Sequence, residues 1–264
     1  WRSDAWRGLF PASALLGLLA AWHYRHFTVR GHGRLLREEA AERGDGGVRL
    51  ADALDVLKRD VWYRRYMLTM FLFGSGNLMV IALLVVILTE QLDAARFVQV
   101  LITTTVPLLA VALLTPFWAR RLDRVHILDY RAKHSWMFVL ALALFVPGAI
   151  LGRIELFWAG ALALGAAFAG GKLGWNLGHN DFASDGRSTL YMGIHVSLTG
   201  VRGLIAPIVG VALYQALERR APGLGRYVLL FPALLTLAGA VTFGVLARKR
   251  RREEHSHSNP DTAS

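Results

Sequence analysis

The chain has 264 residues, 54% of them hydrophobic, with 30 Lys and Arg against 19 Asp and Glu and a formal net charge of +11. Its mean hydropathy of +0.38 rests on long apolar runs that a soluble domain of this size does not need. The absence of cysteine excludes disulfides, thiolate metal sites and cysteine nucleophiles.

Residues 8–24 form a short apolar run framed by Trp6, Trp22 and Tyr24, as interface anchors frame a membrane helix. A polar segment follows, 25–66, in which Gly-Asp-Gly-Gly at 44–47 breaks any helix. Beyond it Leu50, Leu54, Leu57 and Val61 recur at i, i+4, i+7 and i+11, the pattern of an amphipathic helix lying on a membrane surface. Six longer runs come next, at 67–89, 97–117, 135–152, 156–177, 189–213 and 227–247. Each approaches the roughly 20 residues needed to cross a bilayer. They are continuously apolar, which fits helices and not the alternating strands of a barrel. The expected fold is therefore all-α and polytopic, with the lipid bilayer as its first partner. Residues 90–96 and 152–155 read as tight turns, 118–134 as a basic loop, and 214–226 as a longer connection. The tail from Arg248 lacks periodicity and is expected to be disordered. Its His255 and His257 read as solvated side chains, and no metal or cofactor is assigned.

Orientation follows from Lys and Arg. Segment 25–66, loop 118–134, the break at 178–188 with Lys172, and the tail together carry 22, against seven on the other side. The first side, including the C-terminus, is expected to be cytoplasmic. The same placement accounts for the net charge without nucleic acid, for which no interleaved basic and aromatic face exists.

Polar groups concentrate between Gly170 and Pro207. Lys172, Asn176 and His179 share one helix face; Tyr191, His195, Thr199 and Arg202 share another. Counting 1.5 Å per residue, Arg202 lies about 20 Å into its helix, near mid-membrane. Such a charge is costly there and faces a cavity or a partner. No Asp or Glu lies deep in any span. Its compensation is left to backbone carbonyls near Pro207, an acid elsewhere in a longer chain, or an anionic or zwitterionic substrate, whose carboxylate or phosphate the guanidinium fork fits. The ordinary pKa of an imidazole lies near neutrality, which makes His195 a candidate for proton coupling. Lys172 lies close enough to the cytoplasmic edge to snorkel, and Asn77 beside Gly74, Ser75 and Gly76 is a further cavity candidate. Asp181, Asp185 and Arg187 are candidates for gate salt bridges with the 118–134 loop.

Several stretches resemble the major facilitator superfamily. LKRDVWYRRYMLTMFLFGSGNLM is similar to that family's lead from its central loop into the seventh helix. PFWARRLDR at 116–124 resembles its short cytoplasmic signature, with Asp123 and Arg124 at the matching end and Ala119 and Arg121 where Gly and Leu are usual. WNLGHNDFA and YMGIHVSLTGVRGLIAPIVG resemble its tenth and eleventh helices. The resemblance covers the chain and implies the second half of a bacterial transporter: 1–24 as the sixth helix, 25–66 as the cytoplasmic central loop, 67–247 as helices seven to twelve, and 248–264 as the tail. It implies secondary transport of a small molecule by alternating access, ion- or proton-coupled, with a midplane site shared with a missing N-terminal half. It also makes Asp123 and Arg124 cytoplasmic gate residues. Two other readings compete. One is a membrane scaffold or sensor. The other is an intramembrane hydrolase using Ser75 and His195, although Phe73 stands where a Gly-x-Ser-Gly motif needs its first glycine.

Overall fold

The computed structural model describes residues 9–26, 31, 33–34, 50–184 and 187–258. The chain divides into two compact units, residues 1–47 and 48–264. In the first, α1 (Leu9–Tyr24) is a Leu- and Ala-rich helix with Leu15, Leu16, Leu18, Leu19 and Trp22 all exposed. Its 16 residues make about 24 Å of helix, short of a roughly 30 Å hydrocarbon core. The Gly-Asp-Gly-Gly break lies outside the described residues.

The second unit holds α2 (Leu50–Arg59), α3 (Val61–Glu90), α4 (Arg96–Leu122), α5 (Ile127–Leu151), α6 (Ile154–Leu177), α7 (Ser188–Arg220) and α8 (Leu230–Ser258). A 3-10 turn, Leu224–Tyr227, leads into α8. The six helices α3 to α8 are each long and apolar enough to span a membrane. The protein is an all-α, multi-pass membrane protein.

Packing runs in the order α4, α6, α5, α8, α3, α7. The helices at the two ends of that row, α4 and α7, bury only 17% of their most apolar window, against 39–50% for the others. Leu108, Leu109 and Leu113 on α4 and Leu204, Ile205 and Ile208 on α7 remain exposed. The core is built from Tyr63, Tyr66, Phe73, Phe138, Phe145, Phe157 and Phe243 with Leu and Ile between them.

The structure moves several expected boundaries. Val61 does not continue the stripe of Leu50, Leu54 and Leu57: α2 ends at Arg59, and Asp60 caps α3 by accepting from the Tyr63 amide at 2.8 Å. The core-facing side of α2 is Val56, with Ala53 and Leu57 partly buried, while Leu50 and Leu54 stay exposed. Residues 118–134 are not a loop. Helix α4 runs through Leu122 and α5 starts at Ile127, so the connection is 123–126. His126 caps α5, its Nδ1 accepting from the Leu128 amide at 3.1 Å. At the other end α7 extends through Arg220, which shortens the expected 214–226 connection.

The segment from Arg248, expected to be disordered, is helical as far as Ser258; residues 259–264 lie outside the described residues. Two i,i+4 pairs support it, Arg250 to Glu254 at 2.5 Å and Lys249 to Glu253 at 3.9 Å. Tertiary contact adds more. Asp129, in the first turn of α5, receives Arg250 at 2.8 Å and Arg251 at 2.9 Å.

Candidate functional site

The polar stripe of α7 faces inward. Tyr191, His195 and Arg202 are buried, as their shared helical face requires. Arg202 donates from Nη1 to the Met70 carbonyl of α3 and from Nη2 to Thr199 Oγ1 at 3.2 Å, while its Nε has no protein partner. Thr199 also accepts from Trp175 Nε1 of α6 at 3.2 Å, so one hydroxyl joins α6 to the guanidinium. Gly74 makes the approach to α3 possible: a Cβ there would stand 2.2 Å from Arg202 Nη1 and 2.4 Å from Cζ. The guanidinium points toward the start of its own helix, as helical side chains do. Met70 lies about 14 Å along α3 from Val61, so the charge sits shallower than the Cα of Arg202.

The largest fully buried side chain is one that the sequence reading assigned to a loop. Arg131, in the second turn of α5, is 2% exposed. Its Nη2 donates to the Gly171 carbonyl at 3.4 Å, its Nε has no protein partner, and its plane lies against Gly174, where a Cβ would be 3.0 Å from Cζ. The basic run 120–133 concealed it. The signal that could have found it is the inward stripe Arg131, His134, Ser135 and Phe138, at i, i+3, i+4 and i+7. His134 is held by the Ala167 carbonyl at 2.9 Å and stacks on Tyr130, whose hydroxyl donates to Gly170 O at 3.0 Å. Those contacts lock α5 to α6.

His195 lies within electrostatic reach of Arg131 and Arg202, and Tyr66 of both guanidinium groups. The His195 ring meets Trp175 edge-on at 5.4 Å and Tyr66 at 6.4 Å, and neither ring nitrogen has a protein partner. Helices α3, α5, α6 and α7 thus enclose two guanidinium groups and an imidazole. The carboxylates within the described spans, Glu90, Asp129, Glu155, Glu218, Glu253 and Glu254, all stand near helix ends. Removing Arg131 from the loop lowers the Lys and Arg count on that side by one and leaves the bias intact.

Other expected residues divide. Asn77 turns toward α8, where its Oδ1 accepts from Thr236 at 3.3 Å. Lys172 and Asn176 are exposed, and Asn176 donates to the Lys172 carbonyl of its own helix at 2.8 Å. Ser75 donates to the Phe71 carbonyl at 2.7 Å, on a different network from His195.

A second polar group lies where α3, α5 and α7 begin. Tyr63 donates to the Tyr191 carbonyl at 2.6 Å and Tyr191 to Asp60 at 2.9 Å, joining α3 and α7. His179 Nε2 lies 3.0 Å from Ser188 Oγ, which donates to Asn180 at 2.5 Å. Asp181 accepts from the Ile127 amide at 2.5 Å and stands 4.0 Å from His126 Nδ1. The carboxylate therefore caps the start of α5, where the helix dipole favours it. Among the described residues no salt bridge joins it to a Lys or Arg of the preceding turn. Asp123 and Arg124 line a cleft of about 520 Å³ with Asp181 and His126. Arg187 is exposed at the N-cap of α7, and Asp185 lies outside the described residues.

Burial, followed by the charge of Arg250, pushes the His126 pKa below its ordinary value, while Asp181 and Asp129 act the other way. A group with a depressed folded pKa, here an imidazole held neutral, binds protons more weakly in the folded than in the unfolded state. Its contribution is complete above about 6.5, the unfolded value, and fades as pH falls through it. Burial pushes His179 the same way. The melting temperature should therefore drop between pH 7.5 and 5.5. His126→Asn, which keeps a capping oxygen and cannot titrate, should make that drop smaller. An equal drop in the variant, followed by scanning fluorimetry, would exclude His126 as a contributor.

A family model described as Major Facilitator Superfamily matches residues 66–263. Among curated proteins and among solved structures, no similar chain was found.

Proposed function

Since the chain belongs to the major facilitator superfamily, we propose that it carries a small anionic or zwitterionic molecule across the membrane by alternating access, with Arg131, Arg202, His195 and Thr199 at its substrate or coupling site. The observation that carries this reading is the burial of two guanidinium groups, each with an unpartnered Nε and neither ion-paired to a carboxylate among the described residues. Arginine stays ionised at working pH, and a buried charge needs a counter-charge. A carboxylate or phosphate of the substrate supplies one. His195, whose ring nitrogens have no protein partner, is the candidate for proton coupling. The open faces of α4 and α7 are suited to an opposing six-helix half, which the family resemblance assigns to the same polypeptide. Asp123, Arg124, Asp181 and Arg187, at the end where α3, α5 and α7 begin, are the candidate gate, with Asp185 outside the described residues. Lys172 and Asn176 lie on a face that the opposing half would line.

Counterflow in proteoliposomes tests the substrate class. The transporter comprising both halves should exchange carboxylates, phosphate esters or amino acids saturably, and this 264-residue chain alone should not. Saturable exchange confined to neutral solutes would refute the anion reading. The Lys and Arg bias further leads us to assign α8's charged end to the cytoplasm. A thiol introduced as Ser258→Cys, unique in a chain without cysteine, should resist impermeant maleimide in sealed cells and react after lysis. Labelling of intact cells would reverse the orientation.

A further inference from the structure

Helices α5 and α8 leave a groove of about 340 Å³ between them on the outside of the bundle, away from the buried basic cluster. Its mouth carries Lys133, Arg248 and Arg251 around Asp129; deeper along the two helices it is lined by Trp136, Val241 and Gly244. The spacing produces this division. On α5, Asp129, Lys133 and Trp136 follow at i, i+4 and i+7. On α8, Val241, Gly244, Arg248 and Arg251 follow at i, i+3, i+7 and i+10. The helices run in opposite directions, so the charged start of α5 meets the charged end of α8 and their apolar parts meet below.

The charge at the mouth is not balanced. Asp129 is engaged by Arg250 and Arg251, while Lys133 and Arg248 are exposed and have no ion-pair partner among the described residues. The apolar part is open: Trp136 is 44% and Val241 46% exposed, and beyond the local backbone of α8 no atom comes within 4 Å of where a Cβ of Gly244 would stand. Cations clustered at a helix end attract anionic headgroups, and a basic pocket between membrane helices holds one in place. A soluble anion would use the mouth and leave the channel beneath it unfilled; a neutral solute would use neither cation. A molecule with a phosphate at one end and a hydrocarbon chain at the other matches both parts.

We propose that this groove binds one anionic phospholipid of the adjoining leaflet. Lys133 and Arg248 hold its phosphate, with Arg251 at the rim, and one acyl chain runs along Trp136, Val241 and Gly244. The ligand spans α5 and the end of α8, beside the Asp129 contacts that hold the last turns of α8 against the bundle.

Native mass spectrometry of the detergent-solubilised chain tests this, with dioleoylphosphatidylglycerol, dioleoylphosphatidylcholine and glycerol 3-phosphate as probes. One phosphatidylglycerol should be retained about tenfold more strongly than phosphatidylcholine. Lys133→Gln with Arg248→Gln should remove most of that preference, whereas Arg120→Gln with Arg121→Gln, an equal loss of charge at the end of α4, should leave it. Gly244→Leu, which fills the channel and keeps every charge, should weaken retention of phosphatidylglycerol. Any of three results overturns the proposal: equal loss in the two double variants, which marks a diffuse basic surface; displacement of the lipid by glycerol 3-phosphate at matching concentration, which marks a site for soluble phosphate; or unchanged retention in Gly244→Leu. Melting temperatures of the variants are read alongside, and failure of phosphatidylglycerol to outcompete phosphatidylcholine on the unaltered chain refutes the proposal without any variant.

Discussion

Arg202→Gln is expected to lower transport by about 100-fold in the protein carrying both halves. The glutamine cannot present two charged N–H donors to a substrate anion, and a charge-assisted contact of about 3 kcal/mol corresponds to roughly that factor. Arg202→Lys keeps the charge and loses the fork, so its deficit should be smaller. The comparison discriminates because Arg202 also makes structural contacts, Nη1 to the Met70 carbonyl and Nη2 to Thr199. Had Arg202 only tied α7 to α3, Gln and Lys would lower the melting temperature together with transport. If it binds an anion, both variants should reach the membrane with stability reduced far less than flux. Wild-type transport by Arg202→Gln would remove Arg202 from the site, and a variant that fails to fold would make it a structural residue.

Gly74→Ala is expected to reproduce much of that loss without touching a charge. The added methyl would fall 2.2 Å from Arg202 Nη1, so the guanidinium must leave its position over α3 and release Met70. Helix propensity favours the alanine by about 1 kcal/mol, so intrinsic helix stability predicts the opposite sign. A double-mutant cycle separates the two. Once Arg202 is replaced by Ala, Gly74→Ala should cost nothing further in transport, because the group it displaces is gone. Full additivity of the two changes would mean that Gly74 acts through the packing of α3 alone.

The spans were legible because a membrane helix must be apolar over its whole length, and the six runs satisfy that without reference to neighbours. The misplaced boundaries share one cause. In sequence a polar residue reads as the end of a span. The third long run therefore starts at 135, although the helix starts at Ile127, and Arg131 and His134 fall outside it. Both are met in part by the Gly171 and Ala167 carbonyls of α6, which no local pattern discloses. The tail reads as disordered for a related reason: Arg250 and Arg251 have no apolar periodicity, but they find Asp129 about 120 residues away in sequence.

The fold class, the six spans and the inward face of Tyr191, His195, Thr199 and Arg202 are legible in the chain alone. Each follows from hydropathy or from the 3.6-residue period, which are properties of one segment at a time. Tertiary structure decided which polar groups share an interior. It placed Arg131 within electrostatic reach of His195 and Arg202, turned Asn77 to Thr236 on α8, and set Asp181 at the start of α5. Those outcomes depend on which helices become neighbours and on where a glycine lets a guanidinium lie against a backbone, and neither is written in the period of any single helix.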